Sequence, residues 1–464
     1  MSACSGFMPT RRALLAAGAA SLLAPGAVTA QSARMLRAAP ASVRLVPEPH
    51  PPTEVWAYDG TVPGPELRLR QGERLRVVVE NALPQETTVH WHGIRLLNAM
   101  DGVPHLTQRP IPPGARFTYE FDLPDAGTFW YHPHHRSAEQ VGRGLAGALI
   151  VEEREPIRVD RDVTWVLADW RLDRAAAITE DFGHWHDASH AGRIGNTVTI
   201  NGRVPDRFAV RQGERIRLRL INAANARIFG LDFAEQPVQV IALDGHPVTP
   251  HAPEDGRIVL GPGMRADLVL DIAAAPGANV PVIDRFYPRG QYRLVAIAAA
   301  AEPLRARTPD WPIALAPNPL PEPDLGAARR VEVVFDGGMM GRMMMGSGMM
   351  EMMRSGRIWA INGVSAMGHA FEPMLTLARG ESCVLAMANE TAWPHPMHLH
   401  GHAFRVLARD GRPTRHREWL DTVLVAPRER VEIAFVADNP GDWMFHCHIL
   451  EHQQAGMMAV IRVA

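Results

Sequence analysis

The stretch Arg70-Gln71-Gly72-Glu73-Arg74-Leu75-Arg76 returns, with one residue changed, as Arg211-Gln212-Gly213-Glu214-Arg215-Ile216-Arg217. A weaker copy is Ala378-Arg379-Gly380-Glu381. Each copy precedes an alternating apolar run that ends at an asparagine: Asn81, Asn222 and Asn389. The Gly-Glu pair suits a tight turn, and a period of two sets successive side chains on opposite faces of a strand. Three such copies predict three related β-domains, each of about 110 to 160 residues, a usual size for a β-sandwich.

The rest of the chain agrees with that frame. Its 464 residues exceed one ordinary core, and 39 Pro with 39 Gly break the apolar runs into short pieces. Long amphipathic helices are hard to find, so the expected class is all-β, with three consecutive Greek-key sandwiches. The expected boundaries are residues 40–155, 156–302 and 329–464, with a proline-rich linker at 303–328. The net charge of −2 gives no reason to expect nucleic acid or an anionic membrane surface as partner. Every basic residue is arginine; lysine is absent.

Arg11-Arg12 precedes an apolar stretch from Ala13 to Ala24, and Val28-Thr29-Ala30 closes it with a small residue. This reads as a twin-arginine signal over residues 1–30, which implies the twin-arginine export machinery as partner and the periplasm as destination. The run is short for a membrane span, and no later segment is long and apolar enough for one. The mature chain is expected to stay out of the membrane and to be a monomer. Of the cysteines, Cys4 leaves with the signal and Cys383 lies in an apolar run as a buried small hydrophobe. Cys447 has a different surrounding.

Four clusters carry chemistry: His90-Trp91-His92-Gly93, His132-Pro133-His134, HPMHLHGH from His395 to His402, and HCHILEHQQAGM from His446 to Met457. On a strand, His446 and His448 point one way and Cys447 the other. One short stretch therefore serves two metal sites back to back. Cys447, His395, His452 and Met457 make the two-imidazole, thiolate and thioether set of a blue copper. The remaining pairs match between the first and third units. His90-x-His92-Gly aligns with His398-x-His400-Gly, and Gly127-x₄-His132-x-His134 with Gly441-x₄-His446-x-His448. Eight imidazoles suit one copper with two ligands and two coppers with three each. The second unit lacks such pairs and is expected to be a spacer.

These clusters, with LDTV (Leu420 to Val423) and VEIAFVADNPGDW before the last of them, resemble those of the multicopper oxidases over essentially the whole mature chain. The resemblance implies cupredoxin-like sandwiches and four copper ions: one type 1, one type 2 and two type 3. It makes His90 and His398 the type 2 ligands. One type 3 copper would take His92, His132 and His448, and the other His134, His400 and His446. It also implies a laccase or cuprous-oxidase activity that reduces dioxygen to water. Asp101 matches in position an acid proposed to supply protons, although Met-Asp-Gly-Val-Pro also reads as a plain turn. Where cuprous oxidases of the family often carry another acid after the second blue-site histidine, this chain has Gln453.

Residues 337–356 hold nine methionines among Gly and Ser, and thioether sulfur suits Cu(I). In the family's cuprous oxidases a methionine-rich insert also precedes the Ile-Asn-Gly turn, here Ile361-Asn362-Gly363. Yet Thr391 and Trp393 stand where those enzymes place an Asp and a Met. The expected substrate is Cu(I), in copper tolerance, with phenols or aromatic amines beside it. A laccase-type polyphenol oxidase with no dedicated Cu(I) role is the alternative. A non-enzymatic copper store would not need the eight paired histidines, and a copper-free structural relative would not keep its ligands. His184-Trp185-His186 imitates the first cluster but sits outside the repeated strand positions, with His190 nearby. It reads as a loop, at most a surface metal contact. His105, His246 and His402 are read as ordinary structural histidines.

Overall fold

A computed structural model describes residues 33–339, 354–367 and 372–464. The twin-arginine stretch and most of the methionine-rich segment lie outside the described residues.

The repeated turn closes in the same way each time. Gly72, Gly213 and Gly380 have φ of 90°, 78° and 84°, a left-handed conformation that glycine adopts without strain. The glutamate that follows folds back onto the turn. Glu73, Glu214 and Glu381 accept from the backbone N–H of Arg70 (2.8 Å), Arg211 (2.9 Å) and Ala378 (2.8 Å). The asparagines at the far ends of the strands pin the next loops. Asn81 donates to the Ile111 carbonyl, Asn222 to Leu260 and Asn389 to Ala426. Each side-chain oxygen also accepts from the backbone two residues on.

The strand between these two devices is central in each sandwich. Arg74–Asn81 lies parallel to Arg34–Val43 and antiparallel to Arg116–Asp122. Arg215–Asn222 lies parallel to Arg161–Trp170 and antiparallel to Arg265–Asp271. Ser382–Asn389 lies parallel to Arg329–Gly337 and antiparallel to Arg430–Val436. The facing sheets repeat as well: Gly64–Arg70 pairs parallel with Gly147–Glu152, Arg207–Val210 with Tyr292–Ala299, and Leu375–Leu377 with Met458–Val463. Parallel neighbours need a crossover, so the chain passes from sheet to sheet in all three units. The fold is all-β, with three cupredoxin-like sandwiches in series. Among the described residues no helix is long and apolar enough to cross a membrane.

One apolar cluster runs through both the first and third sandwiches, joining Trp91, Phe121 and Phe129 to Trp443, Phe445 and Phe335. The second has its own core around Leu218, Leu268 and Ile297. Its repeat strand departs from the alternation of the sequence, because Arg215–Asn222 is buried at every position. The outward arginines are covered by the first sandwich and pair with acids there. Arg217 binds Glu153 (2.7 Å) and Asp267 (2.7 Å), and Arg219 binds Asp162 (2.7 Å).

Candidate metal centre

Two pairs of strands bring eight histidines together. His90–His92 pairs with Gly127–His132 so that His90 lies opposite His132. His395–Leu399 pairs with Gly441–Cys447 so that His398 lies opposite His446. The two pairs meet across the boundary between the first and third sandwiches, and every one of the eight rings is buried. His90 stacks on His400 with centroids 3.9 Å apart, and His92 on His398 at 3.8 Å. His132 meets His448 at 5.2 Å and His134 meets His446 at 5.2 Å.

Most rings are oriented by one nitrogen and leave the other facing the cluster. His90 Nδ1 donates to the Asp101 carbonyl (2.8 Å), His132 Nδ1 to Pro133 (3.1 Å), His398 Nδ1 to Asp421 (2.8 Å) and His446 Nδ1 to Cys447 (2.9 Å). His400 Nδ1 donates to the Asp101 carboxylate (2.9 Å), and His92 Nε2 to that of Asp421 (3.1 Å). His90 Nε2, His92 Nδ1, His132 Nε2, His134 Nε2, His398 Nε2 and both nitrogens of His448 are then buried with no partner. His400 Nε2 and His446 Nε2 face each other at 3.0 Å. Buried polar atoms are normally satisfied, so a ring of convergent lone pairs fits cations. Burial is the largest cause that holds His92, His132, His134, His400, His446 and His448 well below the usual imidazole range. They are neutral near pH 7, the form that binds metals.

The second constellation lies on the other side of the Gly441–Cys447 strand. Cys447 Sγ is 3.4 Å from His395 Nδ1 and 3.8 Å from His452 Nδ1, and those two nitrogens are 3.3 Å apart. Cys447 N–H donates to the Met457 carbonyl (3.0 Å), which keeps buried Met457 beside the sulfur. Trp359 packs on both rings. Burial pushes the Cys447 thiol far up, so thiolate character there calls for a bound cation.

Models of the multicopper oxidase family match residues 41–156, 161–283 and 342–464. Multicopper oxidase MmcO of Mycobacterium tuberculosis is 30% identical, over 95% of this chain and 90% of its own. This chain belongs to the multicopper oxidases. Solved multicopper oxidases agree. That of Pseudomonas thermotolerans is 38% identical with a TM-score of 0.83, over 93% of this chain and 98% of its own. That of Pseudomonas parafulva is 39% identical with a TM-score of 0.80, over 93% and 100%. As a multicopper oxidase the chain is an oxidoreductase that holds copper and uses dioxygen as electron acceptor.

In this multicopper oxidase the second sandwich is more than the spacer expected from its lack of histidine pairs. Arg265, fully buried, sends two hydrogen bonds to Asp421 (2.8 and 2.5 Å). Asp421 in turn holds His92 and, through its carbonyl, His398. Asp244 accepts from the backbone of Arg265, Asp421 and Thr422. Sequence reasoning quoted Leu420 to Val423 only as a likeness and missed this strut, because the partners lie 156 residues apart. It also missed Thr391, whose hydroxyl accepts from His395 Nε2 at 2.8 Å.

His184-Trp185-His186 does not lie in a loop. Residues Trp185–Ser189 form a short helix that docks on the third sandwich, where Trp359 Nε1 donates to Ala188 (2.6 Å). The carbonyl of His190 accepts from His452 Nε2 at 2.7 Å. Asp101 is buried rather than displayed on a turn, with His90 and His400 both on it. Gln453 Nε2 lies 3.5 Å from His134 Nδ1, and Ser137 donates to its Oε1 (3.0 Å). A cleft of about 420 Å³ reaches His134 and Gln453.

Proposed function

We propose that this multicopper oxidase oxidises Cu(I), with phenols and aromatic amines as companion substrates, and serves copper tolerance after twin-arginine export to the periplasm as a monomer. Four copper ions fit the donor set. Cys447, His395, His452 and Met457 hold the type 1 ion, and His90 with His398 the type 2 ion. His92, His132 and His448 hold one type 3 ion, and His134, His400 and His446 the other. The observation that carries this reading is Cys447 lying against His395 and His452 while His446, its neighbour in the chain, lies against His400. Supporting it, His395-Cys447-His452 and His134-His400-His446 each converge closely enough for one ion.

When bound, copper supplies one-electron chemistry at the cysteine and four-electron reduction of dioxygen at the histidines. Overall, four Cu(I) become four Cu(II), while O₂ and four protons become two waters. The chain's part is placement. Asp101 fixes the tautomers of His90 and His400 and is the acid nearest to them that can pass a proton inward. Gln453 has no proton to give, so its part beside His134 is positional. The cleft at His134 gives dioxygen and water a way in and out. Depressed imidazole pKa values keep the cluster histidines as lone-pair donors.

The test is direct. A copper-loaded sample should be blue, and Cys447→Ser should remove both colour and oxygen uptake. Oxygen consumption with Cu(I) against a phenol, on the intact chain and on one lacking residues 339–353, tests the substrate. If deletion leaves the Cu(I) rate unchanged and phenol is turned over faster, the enzyme is a laccase-type polyphenol oxidase instead.

A further inference from the structure

We propose that His186 and His190 form a docking site for one Cu(I) ion in front of the blue-site histidine His452, an inference that rests on the cuprous reading above. The residues line a cleft of about 620 Å³ with His184, Asp181, Asp187 and Trp393. His186 and His190 are four residues apart across the helix Trp185–Ser189, so they share a face. Their rings stack with centroids 4.1 Å apart and planes 11° from parallel.

Hydrogen bonding decides which nitrogens are available. His190 Nδ1 donates to the His186 carbonyl at 3.0 Å. That fixes the proton on Nδ1 and leaves the Nε2 lone pair of His190 for a ligand. His184 Nδ1 accepts from the His186 backbone N–H at 3.3 Å, so its lone pair is already used. The carboxylates are tied up too: Asp187 takes a forked pair from Arg171 (2.7 and 2.9 Å), and Asp181 is held by Arg171 and Arg193. The donor set is therefore two neutral imidazoles with no spare anion. Two imidazoles suffice for a monovalent d¹⁰ ion. Divalent ions favour more donors: oxygen cages for hard cations and a tetragonal set for Cu(II). The site thus takes the reduced ion and lets go of the oxidised one, which is what turnover of Cu(I) requires.

Position favours the same conclusion. The residue that offers its ring to the ion offers its carbonyl to His452 Nε2 at 2.7 Å. An ion on the His190 ring is thus one residue and one hydrogen bond from the blue-site imidazole. On the same short helix, Ser189 accepts from the backbone of Met339, just ahead of the methionine-rich stretch. Delivery of Cu(I) from that stretch would end beside the two rings.

The experiment uses the fully reduced, four-copper protein under nitrogen, titrated with Cu(I) against a coloured competing chelator. The intact chain should take up about one Cu(I) more than a His186→Ala/His190→Ala variant. The variant should keep its blue absorption after reoxidation, since the backbone of His190 remains. Its KM for Cu(I) should rise by about tenfold or more, the loss expected when an ion's ligands go. A His186→Gln single variant gives a second, milder comparison and should fall between the two. Equal uptake and equal KM in the double variant overturn the proposal. So does loss of the ion on deleting 340–353 with both histidines in place. If the pair binds Cu(I) and no oxygen is consumed, the site stands and the cuprous reading fails.

Discussion

Replacing Arg265 by methionine removes the strut between the second sandwich and the histidine cluster. The guanidinium is wholly buried and makes hydrogen bonds to Asp421 and to the carbonyls of Thr128, Gly263 and Asp244. Breaking a buried ion pair from one side costs about 3–5 kcal/mol. Each carbonyl left without a donor adds about 1 kcal/mol or more. The sum is comparable to the whole stability of an ordinary domain, about 5–15 kcal/mol. Uptake of a proton relieves part of it. Asp244 is already pushed up to about 7, chiefly by burial and then by the charge of Asp421. Without Arg265, Asp421 also rises from its depressed position, and once protonated it ceases to be an anionic acceptor for His92 Nε2. Loss of such an outer partner weakens metal binding by about 10- to 100-fold.

The expected variant melts earlier and carries less copper in the histidine cluster, yet remains blue, because no hydrogen bond joins Arg265 to Cys447, His395 or His452. Its oxygen uptake recovers as pH rises, since a carboxylate with a raised pKa regains its charge only at higher pH. Copper per chain, blue absorbance, thermal midpoint and a pH series of oxygen uptake measure all of this. Full copper content with unchanged oxygen uptake would refute the strut, and so would colour lost in step with the rest.

Asp101→Asn keeps an acceptor for His400 and His90, so copper should stay while the proton donor is lost. Oxygen reduction should fall by about 10²- to 10⁴-fold, with the blue colour still bleached normally by reductant under nitrogen; equal turnover would exclude Asp101 as the acid. In acid, His246 and His402 should destabilise the fold independently of copper. Burial lowers both to about 4 from 6.5, so the unfolded chain binds more protons between those values. Their stabilisation is complete above 6.5 and lost as pH falls through 4, at about 3 kcal/mol each. His246→Asn should flatten that stretch of a urea-stability profile measured against pH, and an unchanged profile would deny it. Asn222→Ala removes donors to the Leu260 and Arg227 carbonyls. It should cost about 2 kcal/mol in calorimetry without altering copper content.

What the sequence made legible is what a few consecutive residues determine. A Gly-Glu turn, an asparagine at a strand end and a cysteine between two histidines impose their geometry locally, and each copy of the repeat folds the same way. Arg215–Asn222 shows where that stops. RIRLRLIN reads as a half-exposed strand, and only the acids of the first sandwich make its arginines buried. Helix Trp185–Ser189 is five residues long, too short to show a period, and docking rather than propensity holds it. Asp421 had the residue type for a supporting role, but its partner Arg265 lies in another sandwich.

The His190 carbonyl marks the sharper limit. Any residue at that position presents a main-chain oxygen, so the bond to His452 leaves no trace in the side chain chosen there. By the same token that bond cannot account for a histidine at 190. The ring has to be explained by what it touches: the stacked ring of His186, the His186 carbonyl on Nδ1, Trp393 at 5.4 Å and an open cleft beyond. A core histidine would have been enclosed and satisfied at both nitrogens. This one is anchored at Nδ1 and half-exposed at the mouth of a cleft whose floor leads to the blue site.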